Sequence, residues 1–310
     1  MEIKASMVKE LREMTGAGVM ACKNALVETD GDFDKAIELL REKGQATAVK
    51  KAGRIAAEGT VYAVVKEDKT AAIVEVNSET DFVAKNDKFK TFVANVADQI
   101  LDSSASDVDA LLGEAWHLDA AKTVKDELVS QIAVIGENMN IRRFAKINTD
   151  GVVVPYIHGG GRIGVVVEAS TSVINDEVKE ALKNVAMQVA ALNPKYTSRD
   201  EVDPDFIAHE KEILLAQIKN DPKEASKPEK VIEGMISGRI NKELKEICLL
   251  DQVYVKAEDG KQSVAQYVES VAKATGSDLK IKGFVRYETG EGLEKKSEDF
   301  AEEVAKQMGM

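Results

Sequence analysis

Asn77-Ser78-Glu79-Thr80-Asp81-Phe82-Val83-Ala84-Lys85-Asn86 is the stretch on which the reading of the fold turns. Before it, residues 60–65 and 71–76 carry the period of strands on either side of a turn at Lys66-Glu67-Asp68-Lys69. After it, Phe89, Phe92, Val93, Val96 and Ile100 fall at helical spacing. The segment therefore reads as a β-hairpin that feeds a helix through a polar connection. Phe82 is out of place in such a connection, where polar, Gly and Asn residues are the rule. It either packs under its own loop or waits for a partner.

The same order returns at Gly151. Residues 152–157 and 163–168 flank a turn at Gly159-Gly160-Gly161, and a helix follows with Val178, Leu182, Val185 and Val189 on one face. Asn95-Val96-Ala97-Asp98-Gln99-Ile100 is echoed by Asn184-Val185-Ala186-Met187-Gln188-Val189. This points to an internal duplication of one α+β unit. Counted from Gly59 and Gly151 to those two Asn residues, the first copy is three residues longer. If the hairpins align, the excess lies in the loop that carries Asp81 and Phe82, which weighs towards a binding role for that loop.

Outside the repeat the pattern is helical. Ser6 is expected to cap a first helix stopped by Gly16-Ala17-Gly18, with a second helix to Asp30-Gly31 and a third from Asp32 to Gly44. Three short helices make a bundle too small to be stable alone. Residues 46–57, alanine-rich, read as a helical or flexible linker. Residues 111–135 read as one long helix containing the single tryptophan, Trp116, as a core residue. Beyond Asn193-Pro194, helices opening at Pro204 and lined by Val231 through Ile247 form an antiparallel hairpin with apolar residues around much of its circumference. Such a hairpin is expected to protrude and meet a partner or a second copy. Residues 283–287 read as a further strand and residues 297–308 as a terminal helix.

Composition bounds the function. The 310 residues carry 54 acidic against 42 basic side chains, a net charge of −12, which argues against a phosphate backbone as the main ligand. Cys22 and Cys248 form no CxxC pair, consistent with a reducing, cytoplasmic compartment. No apolar run approaches the length of a membrane span. Gly159-Gly160-Gly161-Arg162-Ile163-Gly164 matches G-x-G-x-x-G, but a strand follows instead of a helix, so a hairpin turn is the reading. There is no P-loop, His117, His158 and His209 have no metal-ligand spacing, and no nucleophile elbow is recognisable. Neither a cofactor nor covalent chemistry is expected.

Four stretches resemble the elongation factor Ts family. They are Leu11-Arg12-Glu13 with Thr15-Gly16-Ala17-Gly18 and Cys22-Lys23; Thr80-Asp81-Phe82-Val83; Ile135-Gly136-Glu137-Asn138 with Asn140-Ile141-Arg142-Arg143; and Gly290-Glu291-Gly292 followed by Asp299-Phe300. Val19, Ala21 and Ser78 depart from the residues usual there. The resemblance implies an α+β protein: a UBA-like three-helix bundle (residues 1–54), a duplicated core with antiparallel sheets (55–144, then 145–203 with 248–291), an inserted helical hairpin (204–247) and a C-terminal helix (292–310). It implies guanine nucleotide exchange on elongation factor Tu, with Thr80, Asp81, Phe82 and Val83 displacing the magnesium of the GTPase. Arg12, Val19, Met20, Ile135, Gly136 and His158 would make further contacts, and the hairpin would either join them or mediate self-association.

Overall fold

A computed structural model describes residues 3–294. The terminal helix expected at residues 297–308 lies outside these. Three helices open the chain: α1 (Ala5–Thr15), α2 (Val19–Glu28) and α3 (Phe33–Lys51). Leu11, Cys22, Ala25, Leu26 and Ala36 seal their small core. Gly16, at φ 66°, ends α1 in the left-handed conformation, and Asp32 caps α3 by accepting from the Lys35 N–H. Ser6 is not a cap, since α1 begins a residue earlier behind Lys4.

The first repeat holds β1 (Glu58–Lys66), β2 (Thr70–Ser78), the single turn α4 (Asp81–Ala84) and α5 (Asp87–Asp102). Where one long helix was expected over residues 111–135, the chain forms α6 (Val108–Gly113), a small hairpin of β3 (Ala115–Trp116) and β4 (Asp119–Thr123), and α7 (Val124–Ile135). Thr123 and Asp126 restart the helix with a reciprocal capping box. Trp116 is core as expected, 4% exposed, but sits on β3 against Phe92. β5 (Met139–Asn148) then pairs with β2, completing a sheet of order β1-β2-β5 and running across the boundary expected at 144.

α3 also corrects an expectation, because it passes through Gly44 and takes in half of the supposed linker. A glycine inside a helix costs about 1 kcal/mol against alanine. Here the missing side chain lets α3 settle on α7, since a Cβ at Gly44 would stand 3.5 Å from that of Ala133.

The second repeat is built alike. β6 (Val152–His158) and β7 (Ile163–Ser170) lead into α8 (Asp176–Leu192). After an excursion through α9 (Pro204–Asn220), α10 (Pro222–Ala225), α11 (Glu229–Ile247) and α12 (Val264–Thr275), β8 (Lys280–Glu288) joins β7 to give the order β6-β7-β8. The duplication is visible in detail. In both sheets the third strand bulges opposite a glutamate of the second, with Arg142 the extra residue opposite Glu75/Val76 and Lys282 opposite Glu168/Ala169. Gly59 and Gly151 each press on the carbonyl opposite, where a Cβ would meet Val76 O at 2.1 Å and Ala169 O at 1.9 Å. Residues 79–86 link β2 to its helix and 171–175 link β7 to its own, so the three extra residues fall where the alignment placed them.

The two sheets stack face to face, with Val61, Ala63, Ala71 and Ile73 meeting Val153 and Val166. α5 covers the outer side of one sheet, α8 and α12 that of the other. The glycine turn is a hairpin turn, as read from the sequence, and it touches the other sheet, Gly161 O accepting from the Val61 N–H at 2.7 Å.

α9 and α11 pack on each other through Ile240 and Leu244, with Phe206, Leu214 and Ile236 partly covered, while Ile213 and Val231 stay exposed. The ends of this hairpin are fastened together, Tyr196 N–H donating to Ile247 O and Leu249 N–H to Tyr196 O. Replacing residues 204–247 by a short Gly/Ser turn is therefore expected to leave a cooperative core, with its melting temperature within about 5 °C of the full chain. Self-association or grip on a partner should fall instead. Calorimetry checks this, and a truncated chain that binds ANS without a thermal transition would place the hairpin in the core.

Candidate functional site

Phe82 is 81% exposed, so it does not pack under its own loop. It stands on α4, the one-turn helix of the longer connection, behind Thr80 as N-cap: the Thr80 hydroxyl accepts from the Val83 N–H at 3.3 Å. Val83 turns inward against the α5 core. Asp81 is paired with Lys85 one turn on, at 2.6 Å, and that hydrogen-bonded ammonium holds the Asp81 carboxyl below the usual carboxylate range.

This turn is clasped from outside by the segment that follows α7. Glu137 accepts from the Thr80 N–H at 3.0 Å with one oxygen and from the Thr80 hydroxyl at 2.7 Å with the other. In return Glu79 accepts from the Asn138 N–H at 2.6 Å. Asn138 donates its side-chain amide to Arg54 O, and the Arg54 guanidinium lies 3.5 Å from Glu79. Lys51, at the end of α3, donates to Gly136 O. Gly136 itself ends α7 at φ 87°, a conformation that suits glycine.

The structure brings Thr80–Val83 and Ile135-Gly136 together and leaves the other sequence-predicted residues around two separate turns. Thr80 to Val83 and the Ile135-Gly136 pair are joined by the clasp. Arg12, Val19 and Met20 are exposed around the turn between α1 and α2, with Val19 and Met20 50% and 64% in water. That turn faces the end of α7, where a Cβ on Gly16 would stand 4.0 Å from Val134. His158, exposed and in contact with the Tyr156 hydroxyl at 2.9 Å, sits on the β6–β7 turn that lies over the start of β1, the sheet end from which Ser78 leads to Thr80. His158 does not touch the clasp.

Glu137 and Glu79 had no role assigned from sequence, although Glu137 stands inside one of the four stretches and Glu79 directly before another. The available signal was their pairing: two carboxylates flanking Thr80 and Asn138, in two stretches that each precede an element of the same sheet or its helix. A second residue escaped notice in the same way. Glu75 is fully buried on β2 and gathers Arg142 at 3.0 Å, Arg143 at 2.6 Å, the Asn77 amide at 3.0 Å and the Gly290 N–H at 2.8 Å. Burial alone pushes its carboxyl up, but the Gly290 N–H, the Asn77 amide and the two guanidiniums outweigh that and hold it below the ordinary value. The second half of the Glu137 stretch, Arg142-Arg143, and the Gly290-Glu291 stretch thus meet at one buried charge that ties the sheets together. No group of three His, Cys, Asp or Glu side chains able to hold a metal occurs among the described residues.

A model of the family described as Elongation factor TS matches residues 79–291. The protein named Elongation factor Ts of Clostridioides difficile (strain 630) is 54% identical over 307 residues, 99% of each chain. The proteins of the same name in Clostridium botulinum strains Eklund 17B and 657 are 52% identical over 309 residues and 51% over 308, spanning 99% of this chain and 99% and 98% of their own.

Proposed function

The chain belongs to the elongation factor Ts family, and on that premise we propose that it binds the GDP complex of elongation factor Tu and promotes exchange of GDP for GTP. The observation that carries the reading is Phe82, a large apolar side chain left in water on a turn that the rest of the fold holds in place. Nucleotide affinity in a P-loop GTPase rests on loop amides, a lysine and Mg²⁺. An aromatic wedge with Asp81 beside it, entering near the magnesium site, would remove part of that support without any covalent step. Burying one phenylalanine contributes about 1.5–3 kcal/mol, less than a large loosening of nucleotide requires. The exposed Arg12, Val19, Met20, Gly136 and His158, with the partly buried Ile135, supply the additional contacts on this reading. A cytoplasmic location accords with the two free cysteines, Cys22 and Cys248, and a protein partner in place of nucleic acid with the net charge of −12. No helix among the described residues is long and apolar enough to cross a membrane.

Linkage provides the test. A factor that weakens nucleotide binding is itself bound less tightly, by the same ratio, when nucleotide is present. Isothermal titration is expected to give at least about a tenfold tighter complex with nucleotide-free elongation factor Tu than with its GDP–Mg²⁺ form. Equal affinities would contradict the proposal.

The N-terminal bundle is proposed as a docking module, with its own core and an exposed apolar edge. Deleting residues 1–54 is expected to weaken binding to elongation factor Tu by about tenfold or more, the loss of roughly 1.4 kcal/mol of contacts. The sandwich should keep its thermal transition, somewhat lowered because α3 no longer covers α7. An unchanged dissociation constant would remove the docking role.

A further inference from the structure

We propose that Glu137 is a positioning residue for exchange: its carboxylate holds the Thr80–Val83 turn in the shape that presents Phe82, and it acts only through Phe82. The inference rests on the exchange reading above. A four-residue helix cannot hold itself, since helix nucleation is unfavourable and isolated helices shorter than about 12–15 residues are marginal in water. α4 has four residues and none of them is buried. Phe82 has almost no packing of its own to fix it, being 81% exposed. Val83 packs inward on the α5 core and the Ser78 hydroxyl donates to Thr80 O; from outside the loop, Glu137 takes both the N–H and the O–H of Thr80, whose hydroxyl caps the turn. Hydrogen bonds to an ionised acceptor are the stronger kind. Glu137 is itself set on the rigid exit of α7, between Gly136, bonded to Lys51, and Asn138, which is bonded to Glu79 and Arg54.

Freed from Glu137, the turn would have to be ordered at the moment Phe82 enters the GTPase, a cost that preorganisation removes. The loss should therefore appear in the rate of GDP release within the saturated complex more than in the fold.

A double-mutant cycle on the full chain tests this. Glu137→Met keeps the length of the side chain and removes both acceptors, Glu137→Ala repeats the deletion with less bulk, and Glu137→Gln keeps one acceptor. With elongation factor Tu loaded with fluorescent GDP and saturating factor, Glu137→Met and Glu137→Ala are expected to slow release about tenfold, the scale of a lost charge-assisted hydrogen bond. Glu137→Gln should recover most of the rate. Melting temperatures should stay within about 5 °C of wild type. In a Phe82→Ala background, Glu137→Met should slow release no further, because residues acting through one another are not additive. Additive slowing, or an unchanged rate for Glu137→Met and Glu137→Ala while Phe82→Ala is slow, would overturn the positioning role alone. A Phe82→Ala variant with wild-type release would overturn the exchange reading and this inference with it.

Discussion

Phe82→Ala is expected to slow GDP release from the saturated complex with elongation factor Tu by roughly 10- to 150-fold, the equilibrium worth of the 1.5–3 kcal/mol that burying one phenylalanine contributes. Stability should move by less than about 0.5 kcal/mol, as for other surface substitutions, because the ring is 81% exposed and supports nothing beneath it. A phenylalanine that packed under its loop would behave in the opposite way, costing about 3–5 kcal/mol of stability and slowing exchange only as far as the chain unfolds. The two outcomes separate in one pair of measurements, a thermal melt and a stopped-flow trace. A further signature follows from linkage: the gap in affinity between nucleotide-free and GDP-bound elongation factor Tu should be narrower for the variant than for wild type.

Glu75→Gln is expected to produce the largest loss of stability, about 3 kcal/mol, at the low end of what removing one partner of a buried ion pair costs. The low end applies because Arg142 and Arg143 keep 24% and 29% of their side chains in water and Arg143 has Glu291 at 3.2 Å as a second carboxylate. The effect should depend on pH in a definite sense. The folded-state pKa of Glu75 lies below its ordinary 4.5, so its contribution is fully present above that value and is lost as pH falls through the folded pKa. Denaturant melts at neutral pH should show the full gap between wild type and variant, and the gap should close progressively as the pH is lowered below about 4.5. A gap that stayed constant to low pH would mean that the charge of Glu75 contributes nothing and that only its shape matters. Exchange by the folded variant should suffer less than its stability, since none of the groups bonded to Glu75 belongs to the Phe82 turn.

The repeat, the hairpin turns and the position of the long loop were legible in the sequence because each rests on a local signal: strand period, glycine clusters, and three extra residues before a helix. The strand expected at residues 283–287 is the middle of β8, but the third strand of the first sheet was harder. β5 carries Arg142 and Arg143 in mid-strand, and its pairing with β2 is broken by a bulge, so its alternation is blurred. β3 and β4 were absorbed into a helix because they total seven residues between two true helices and hold few β-branched side chains. α12 went unread, although Ser263 and Gln266 form a capping box at its start. Gly44 looked like a stop because only the packed neighbour, Ala133, explains why a glycine continues there. The Phe82 turn stood out as the candidate site, but the contacts that hold it and those that tie the sheets did not, since Glu137 and Glu75 reach across 57 and 215 residues of chain and a charged residue reveals its partner only when folded. For Glu75 the cue that could have been followed was a lone glutamate inside the apolar run of residues 71–76, with an arginine pair elsewhere.

Release of fluorescent GDP from purified elongation factor Tu, followed with and without saturating amounts of this protein, tests the central claim most directly. The account predicts a release rate raised by at least about a hundredfold, more than the Phe82 contribution of 1.5–3 kcal/mol supplies by itself at its mid-range. A release rate the same with and without the protein, in a mixture where the two proteins demonstrably bind, would contradict it.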